Sequence, residues 1–506
     1  MPDVNLKPTT LGDLKASGYS PVPIKSELRN NLIKKLRRKD PIFHGILGFD
    51  ETVVPDIERA LLSRHNIILL GLRGQAKTKI ARLMVELLDE YIPIVQGTEL
   101  NDDPLAPVSR QARDIIAECG DDTPIDWLHR SERYSEKLAT PDVSIADLIG
   151  DVDPIKAATL KLPYSDERVI HFGLIPRTHR SIFVINELPD LQARIQVALF
   201  NILQEGDIQI RGFKLRLPLD IQFIFTANPE DYTNRGAIVT PLKDRIESQI
   251  LTHYPKSIAI AKEITRQEAS MHEDQKAIVR VPEIAENLLE QIAFEARSSE
   301  YVDSKSGVSA RLTISGYENL VSSAERRAII HDEKETVVRI SDFWSVIPAI
   351  TGKIELVYEG EQEGPANVAQ FLIGKAIRSQ FDHYFSDPDK HRRHPETSPY
   401  RHIIDWFGQG NHLDILNECS NKDYANSLSR VAGLKEMLDK DHPKANPDER
   451  YILMEFLLHG LAEYSFLSKN VLETGLQFKD LLSSMLRLSD EDGEGEEPLR
   501  DEGLFS

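Results

Sequence analysis

The most informative part of the sequence is the octapeptide GLRGQAKT at residues 71–78. It directly follows an apolar run at residues 66–70 (NIILL) and opens an amphipathic stretch at residues 79–91. Small residues between a strand and a helix let successive backbone N–H groups wrap phosphates, while the lysine reaches the β- and γ-oxygens and the threonine reaches Mg²⁺. The octapeptide therefore predicts a phosphate-binding loop. Its candidate binding residues are Gly71, Gly74, Gln75, Ala76, Lys77 and Thr78.

Four further apolar runs follow this loop in the chain and resemble buried strands. They are IPIV at 92–95, SIFVI at 181–185, IQFIFT at 221–226 and SQILT at 248–252. Such runs, separated by helical patterns, are typical of a parallel sheet that is covered on both faces. Together with NIILL they predict an α/β fold with a five-stranded parallel sheet.

Two segments between these runs predict insertion hairpins. The first lies within residues 139–172, and the second spans residues 207–217 around a short turn. The second hairpin carries a polar face formed by Gln209, Arg211, Lys214 and Arg216.

Composition excludes several classes of protein. The 506 residues include 61 Lys and Arg against 81 Asp and Glu, giving a net charge of −20, and 41% are hydrophobic, which excludes a wholly disordered chain. Cys119 and Cys419 are too few for a disulfide scaffold. Without a signal peptide or an apolar run of ~20 residues, we expect a cytoplasmic protein that is not embedded in a membrane. The negative charge argues against general nucleic-acid binding.

The pattern along the chain predicts five parts. A basic run at 34–39 is typical of a surface helix. A histidine-rich stretch at 383–412 lacks both the pair of histidines four residues apart on a helix and the cysteines that are typical of a zinc site. The predicted parts are an N-terminal extension (1–45), an α/β core with insertion hairpins (46–255), a helical lid (256–350), a C-terminal helical region (351–488) and an acidic disordered tail (489–506).

Polar residues follow two of the apolar runs and are candidates for catalysis. A strand that ends in two carboxylates ordinarily supplies one acid to the metal shell and one to the attacking water. Here the pair is Asn186-Glu187, so Glu187 keeps the role of general base and Asn186 offers the Mg²⁺ shell only a neutral oxygen. The pair could instead cap the next helix. Asn228 follows the IQFIFT run and could orient the water or touch the γ-phosphate.

An arginine precedes the last run and leaves two interpretations open. Arg245 stands in the sequence PLKDR and could form a surface ion pair with Asp244 or Glu247, or it could act on a phosphate. The order of the loop, the strand tips and this arginine favours the second interpretation.

These motifs together resemble the AAA+ ATPases of the branch that holds the magnesium chelatase motor subunit and the MoxR proteins. The ending Ala76-Lys77-Thr78 is similar to the A-K-[ST] ending of several members. Residues 139–153 look most like the chelatase motor, residues 181–231 resemble the run from the second motif to the sensor strand, and GVSAR at 307–311 is similar to the second sensor. The resemblance covers about residues 46–346.

The resemblance implies a role for each matching residue. Lys77 and Thr78 would bind ATP phosphates and Mg²⁺, and Glu187 would activate water. Asn228 would be the first sensor, Arg245 an arginine finger that reaches a neighbouring subunit, and Arg311 the second sensor. Because Asn186 replaces a carboxylate near the metal, we expect a slow ATPase, with a cost of about 10- to 100-fold in metal affinity or activity.

The resemblance also implies a function: a homo-hexameric, ATP-driven ring that remodels a protein substrate together with a partner containing a von Willebrand factor A (VWA) domain. One alternative is the motor of a chelatase that inserts Mg²⁺ into a porphyrin, although the long C-terminal region counts against it. A second is DNA translocation by the hairpin around Arg211, which the charge of −20 disfavours. A third is a nucleotide-binding scaffold that does not hydrolyse ATP, which only Asn186 supports.

Overall fold

The computed structural model describes residues 7–164, 166–208, 217–228, 237–393, 395–472 and 474–481. The chain divides into two compact units, residues 1–254 and 255–506. Within the described ranges, the helices are all too short or too polar to cross a bilayer.

The first unit is built on a five-stranded parallel sheet with the order β11-β1-β10-β7-β4. This arrangement confirms the predicted α/β class. The strands described in this unit are β1 Ile67–Leu70, β2 Tyr91–Val95, β3 Ile125–His129, β4 Tyr134–Leu138, β5 Gly150–Val152, β6 Ile170–Phe172, β7 Ser181–Asn186, β8 Asp207–Ile208, β9 Leu217–Pro218, β10 Ile221–Ala227 and β11 Ser248–Leu251.

Alternate residues of these strands build two cores, one on each face of the sheet. Ile67 and Leu69 of β1 pack with the helix that follows the loop, whereas Ile68 and Leu70 pack with the helix after β7. The described helices of this unit are Leu11–Ala16, Ile24–Arg38, Val53–Leu62, Lys77–Leu83, Arg110–Cys119, Ile145–Leu148, Pro154–Leu160, Leu174–Arg177, Ala193–Glu205 and Thr240–Asp244.

The prediction that residues 92–95 belong to the parallel sheet is wrong. They lie in β2, which pairs antiparallel with β3 in a separate two-stranded sheet. The fifth strand of the parallel sheet is β4, with the sequence YSEKL. Because β4 lies at the edge and pairs only with β7, its side chains are partly solvated and its sequence is polar rather than apolar.

The helix Ile24–Arg38 contributes to the same core, although the sequence predicts an N-terminal extension up to residue 45. Its residues Ile24, Leu28 and Leu32 are buried with β1. Glu27 on the same face is also buried and accepts two hydrogen bonds of 2.7 Å from the guanidinium of Arg133, which immediately precedes β4. A buried, bidentate ion pair therefore joins this helix to the edge of the sheet.

Both predicted insertions contain paired strands. In the first, β5 pairs antiparallel with β6, and in the second, β8 pairs antiparallel with β9. The polar face predicted for the second hairpin, with Gln209, Arg211, Lys214 and Arg216, lies outside the described residues.

The second unit is mostly helical, as predicted, and one hydrophobic core runs through it from Val279 to Phe478. Its described helices are Ile258–Glu268, Glu273–Ile278, Glu283–Ser298, Arg311–Ile330, Ile347–Thr351, Tyr358–Glu363, Pro365–Phe381, Arg401–Gly408, Asn421–Ser429, Leu434–Asp441 and Pro447–Glu463.

The second unit also contains strands that the sequence does not predict. The short strands β12 Val279–Arg280 and β13 Thr336–Val337 pair in parallel. Three others, β14 Leu413–Leu416, β15 Leu467–Leu472 and β16 Gly475–Asp480, form an antiparallel sheet in the order β14-β16-β15. His394 and the acidic tail lie outside the described residues, and no group of three or more potential metal ligands occurs among the described ones.

Candidate functional site

The loop after β1 is fixed by residues at the ends of two neighbouring strands. The Gly71 amide donates to the carbonyl of Ala227 at the end of β10, at 3.1 Å. The Thr252 hydroxyl, which follows β11, donates to the side-chain oxygen of buried Gln75 at 2.7 Å. A Cβ atom on Gly71 would lie only 1.9 Å from that hydroxyl. Position 71 therefore requires glycine.

The backbone of the loop turns through the left-handed region twice. Gly74 has φ +73° and Ala76 has φ +56°. The left-handed conformation costs a residue with a Cβ atom about 1–2 kcal/mol, so Ala76 adopts at a cost the backbone that glycine adopts freely. The hydroxyl of Tyr254 donates to the carbonyl of Arg73 at 2.9 Å and supports the outer side of this turn.

The lysine of the loop is turned into it rather than towards solvent. Lys77 is 8% exposed, and its ammonium donates to the carbonyls of Gly71 and Leu72, the latter at 2.9 Å. Lys77 begins the helix Lys77–Leu83, and Thr78 is the next, half-buried residue. A buried ammonium and a hydroxyl therefore lie together at the start of this helix.

The tip of β7 holds the predicted Asn186-Glu187 pair through a threonine of the neighbouring strand. The Thr226 hydroxyl in β10 donates to the Asn186 side-chain oxygen at 3.1 Å and accepts from the Glu187 amide at 3.2 Å. Glu187 has φ +54°, which ends the strand abruptly. Thr226 therefore fixes the backbone from which the Glu187 carboxylate projects.

Asn228 lies one residue beyond β10, between the tips of β1 and β7. Its side chain is 8% exposed, and its side-chain oxygen has no hydrogen-bond partner among the described residues. A buried amide oxygen without a partner costs about 1–3 kcal/mol, which a bound water or ligand that donates to it would recover.

Arg245 forms no ion pair with Asp244 or Glu247 in the described structure. Its guanidinium donates to the Pro241 carbonyl at 2.7 Å and to the Gln204 side-chain oxygen at 3.1 Å. It also lies 4.9 Å from the centre of the Phe200 ring. These contacts hold the half-buried Arg245 against the helix Ala193–Glu205.

Arg311 belongs to the second unit, where it is the first residue of the helix Arg311–Ile330. Its side chain is exposed, and its amide donates to the hydroxyl of Ser309 at 3.1 Å. Gly307, with φ +70°, turns the chain before this helix.

A carboxylate that the sequence analysis does not single out lies beside Asn186. Glu136 in β4 accepts hydrogen bonds from the guanidinium of Arg82 and from the Tyr134 hydroxyl at 2.8 Å, and its carboxylate lies beside the Asn186 side chain. The bond from Arg82 is the main reason that the pKa of this carboxyl lies below its ordinary value, so Glu136 is ionised at neutral pH. No spacing motif marks Glu136, because it comes from an edge strand remote in sequence.

No family model matches the chain. Among solved structures, it is similar to NtrX from Brucella abortus, with 14% identity over 60% of this chain and 57% of NtrX and a TM-score of 0.34. It is also similar to Hsp104 with ATPγS and casein, with 13% identity over 64% of this chain and 53% of that one and a TM-score of 0.37.

A third similarity is to the BchI–BchD complex of magnesium chelatase, with 16% identity over 63% of this chain and 98% of that one and a TM-score of 0.30. The fold class rests on the order of the strands in the sheet and on the position of the loop at 71–78 at the strand ends. The first unit of this chain is therefore an α/β core with a five-stranded parallel sheet and a candidate phosphate-binding loop after β1.

Proposed function

We propose that the protein binds and hydrolyses ATP. The observation that carries this proposal is the convergence of the loop at 71–78, Asn228 and Glu187 at the carboxyl ends of the adjacent strands β1, β10 and β7. In open parallel sheets, ligands bind at these ends. The buried Lys77 ammonium and the Asn228 oxygen, which has no partner in the described part of the chain, are polar groups of the kind that bind phosphates and a water molecule.

Each residue has a distinct task in the proposed reaction. The loop amides and Lys77 bind the phosphates and position the γ-phosphate. The Glu187 carboxylate accepts a proton from the attacking water, and the Asn228 amide orients that water. Because Thr226 holds the backbone of Glu187, the base projects from a fixed position at the tip of β7.

The residues around the loop fit a magnesium ion. Mg²⁺ prefers oxygen ligands, and the Thr78 hydroxyl at the start of the helix Lys77–Leu83 and the Asn186 amide oxygen at the tip of β7 are of this kind. The Glu136 carboxylate lies beside Asn186. When bound, the ion would neutralise the negative charge that develops on the phosphates. Thr78 and Asn186 would hold it.

A nucleotide-binding measurement tests this proposal. We expect Lys77→Ala to weaken the binding of ATPγS about 10- to 100-fold, because a hydrogen bond from a charged group is worth about 1.5–3 kcal/mol. The matched control is Lys79→Ala, which removes an ammonium that donates to the Gly45 carbonyl at 3.1 Å and lies outside the loop. Equal affinities of wild type and Lys77→Ala would contradict the assignment of the loop.

We further propose a MoxR-like role, in which subunits form a homo-hexameric ring and remodel a protein substrate together with a VWA-domain partner. The resemblance of the motifs supports this role, with Arg245 reaching the nucleotide of the next subunit and Arg311 acting as the second sensor. A VWA domain commonly presents a metal ion that a partner's carboxylate completes, and the net charge of −20 leaves many carboxylates for that task.

Affinity purification from the native cell tests the partner. We expect a VWA-domain protein to co-purify in Mg²⁺ and to be lost in EDTA. Recovery of porphyrin-binding chelatase subunits would contradict the remodelling role in favour of metal insertion. Salt-resistant DNA binding without a protein partner would contradict it in favour of translocation, because DNA bound weakly against a negative field dissociates as salt increases.

A further inference from the structure

The tip of β7 carries Asn186 where a carboxylate is expected, and it lies beside β4, which carries Glu136. In the parallel pair of β4 and β7, Leu138 lies opposite Asn186, and Glu136 is two residues earlier on the same strand. The Glu136 side chain is 30% exposed and lies beside the side chain of Asn186. A neutral amide and a carboxylate are therefore neighbours at this edge of the site.

Alternation along the strands places this pair on the face of the sheet that the helix Lys77–Leu83 covers. Ile182 and Val184 of β7 and Ile224 of β10 pack in the core that contains Ile80 of this helix. Side chains two residues apart in a strand point to the same face, so Asn186 and Thr226 continue this set. Tyr134 packs against the same core, and Glu136 follows it at the same spacing.

The arginine that binds Glu136 lies on the same helix face as the predicted metal ligand. Arg82 donates to Glu136 and stands four residues after Thr78 in the helix Lys77–Leu83. Residues at this spacing share one face of a helix, separated by about 6 Å along its axis. Glu136 is therefore joined to the helix face on which Thr78 lies.

The hydrogen bonds of Asn186 account for the amide at this position. Its side-chain oxygen accepts from Thr226, which leaves the amide nitrogen as the group that can face the Glu136 carboxylate. An aspartate at 186 would have no hydrogen to offer and would place a second carboxylate beside Glu136. In this pair of side chains the acidic group is therefore Glu136.

We propose that Glu136 supplies the carboxylate of the magnesium shell that Asn186 lacks, and that Asn186 is a positioning residue for it. This proposal rests on the proposed ATP-binding function. The metal shell then keeps one acidic group, but that group projects from β4 instead of β7. Hydrolysis would not be impaired by Asn186 in the way that the motif alone predicts.

The magnesium dependence of ATPγS binding tests this proposal without relying on turnover. The quantity is the ratio of the dissociation constant in EDTA to that in excess Mg²⁺. We expect Glu136→Gln to lower this ratio about 10- to 100-fold, the usual cost of losing a group that supports a metal. We expect the double change Glu136→Gln with Asn186→Asp to restore most of it, because the charge returns to the neighbouring strand.

Arg82→Met is the matched control for a purely structural role of the Arg82–Glu136 ion pair. If Glu136 only anchors the helix to β4, Arg82→Met and Glu136→Gln should change the ratio equally, which would overturn the proposal. If Glu136 serves the metal, Arg82→Met should keep or increase the ratio, because the carboxylate stays and a competing cation is removed. Circular dichroism establishes that each variant is folded.

The experiment also separates the two levels of inference. No binding of ATPγS by the wild type would contradict the proposed function itself. Magnesium-dependent binding by the wild type that Glu136→Gln leaves unchanged would contradict only the role of Glu136. A third outcome is that the double variant Glu136→Gln with Asn186→Asp binds ATPγS in Mg²⁺ no better than Glu136→Gln alone. That result would contradict the proposal that a carboxylate at position 186 can replace the one at position 136.

Discussion

Arg245→Ala is expected to lower the ATPase rate about 10³- to 10⁵-fold while leaving nucleotide affinity mostly intact. An arginine that stabilises the charge on the transferring phosphoryl group is worth that much in rate. The effect should fall on the rate because Arg245 contacts Pro241, Gln204 and the Phe200 ring, and none of these belongs to the candidate phosphate-binding loop. Steady-state turnover and equilibrium binding of ATPγS measure the two quantities separately.

Mixing variants tests whether Arg245 acts on a neighbouring subunit. In a mixture of Arg245→Ala with Lys77→Ala, some interfaces combine an intact loop with an intact arginine, so the mixture should exceed both parents in activity. Arg194→Ala, which removes an exposed arginine of the helix Ala193–Glu205, is the matched control and should retain normal turnover. A protein that stays monomeric with ATP, or a mixture no more active than its parents, would contradict the ring.

Glu187→Gln is expected to bind ATP with Mg²⁺ normally and to hydrolyse it about 10²- to 10⁴-fold more slowly. That range is the usual contribution of a positioned general base. Glutamine has nearly the same shape, and the hydrogen bond from the Glu187 amide to Thr226 involves only the backbone, so the tip of β7 should not move. Single-turnover hydrolysis by enzyme saturated with ATP measures the chemical step directly.

The control for this change is Glu205→Gln, which neutralises an exposed acid at the end of the helix after β7. Its turnover should match that of the wild type. Unchanged turnover in Glu187→Gln would show that another group accepts the proton and would remove Glu187 from the assigned site. A wild type that binds ATP but does not hydrolyse it would favour the scaffold alternative.

The buried strands of the sheet were predictable because burial on both faces leaves a continuous apolar run. This signal identifies β1, β7 and β10. It fails for β4, an edge strand with the polar sequence YSEKL, and it is misleading for β2, whose apolar residues pack in a separate antiparallel pair. An apolar run indicates that a strand is buried, but burial alone does not determine with which other strand it pairs.

The residues of the candidate site also fall into those that the sequence predicts and those that it does not. The loop and the strand-tip residues were predictable because their chemistry is local and their spacing is fixed. Thr252, Tyr254 and Glu136 were not, because their contacts with Gln75, Arg73 and Asn186 depend on how distant strands are ordered in the sheet. A sequence motif identifies residues that lie close together along the chain. Thr252, Tyr254 and Glu136 contact residues that are far away along the chain, so no motif contains them.

The ion pair between Glu27 and Arg133 determines how far the chain can be shortened. A chain starting at residue 46 would lack Glu27 and leave the guanidinium of Arg133, which is 1% exposed, without its carboxylate. Leaving one partner of a buried pair uncompensated costs about 3–5 kcal/mol, which is comparable to the entire stability of a small domain. Arg133 stands three residues before Glu136, so this cost would be felt in the strand that borders the site. The smallest autonomous version of the α/β unit therefore begins before Ile24, and the first helices belong in any dissection of its parts.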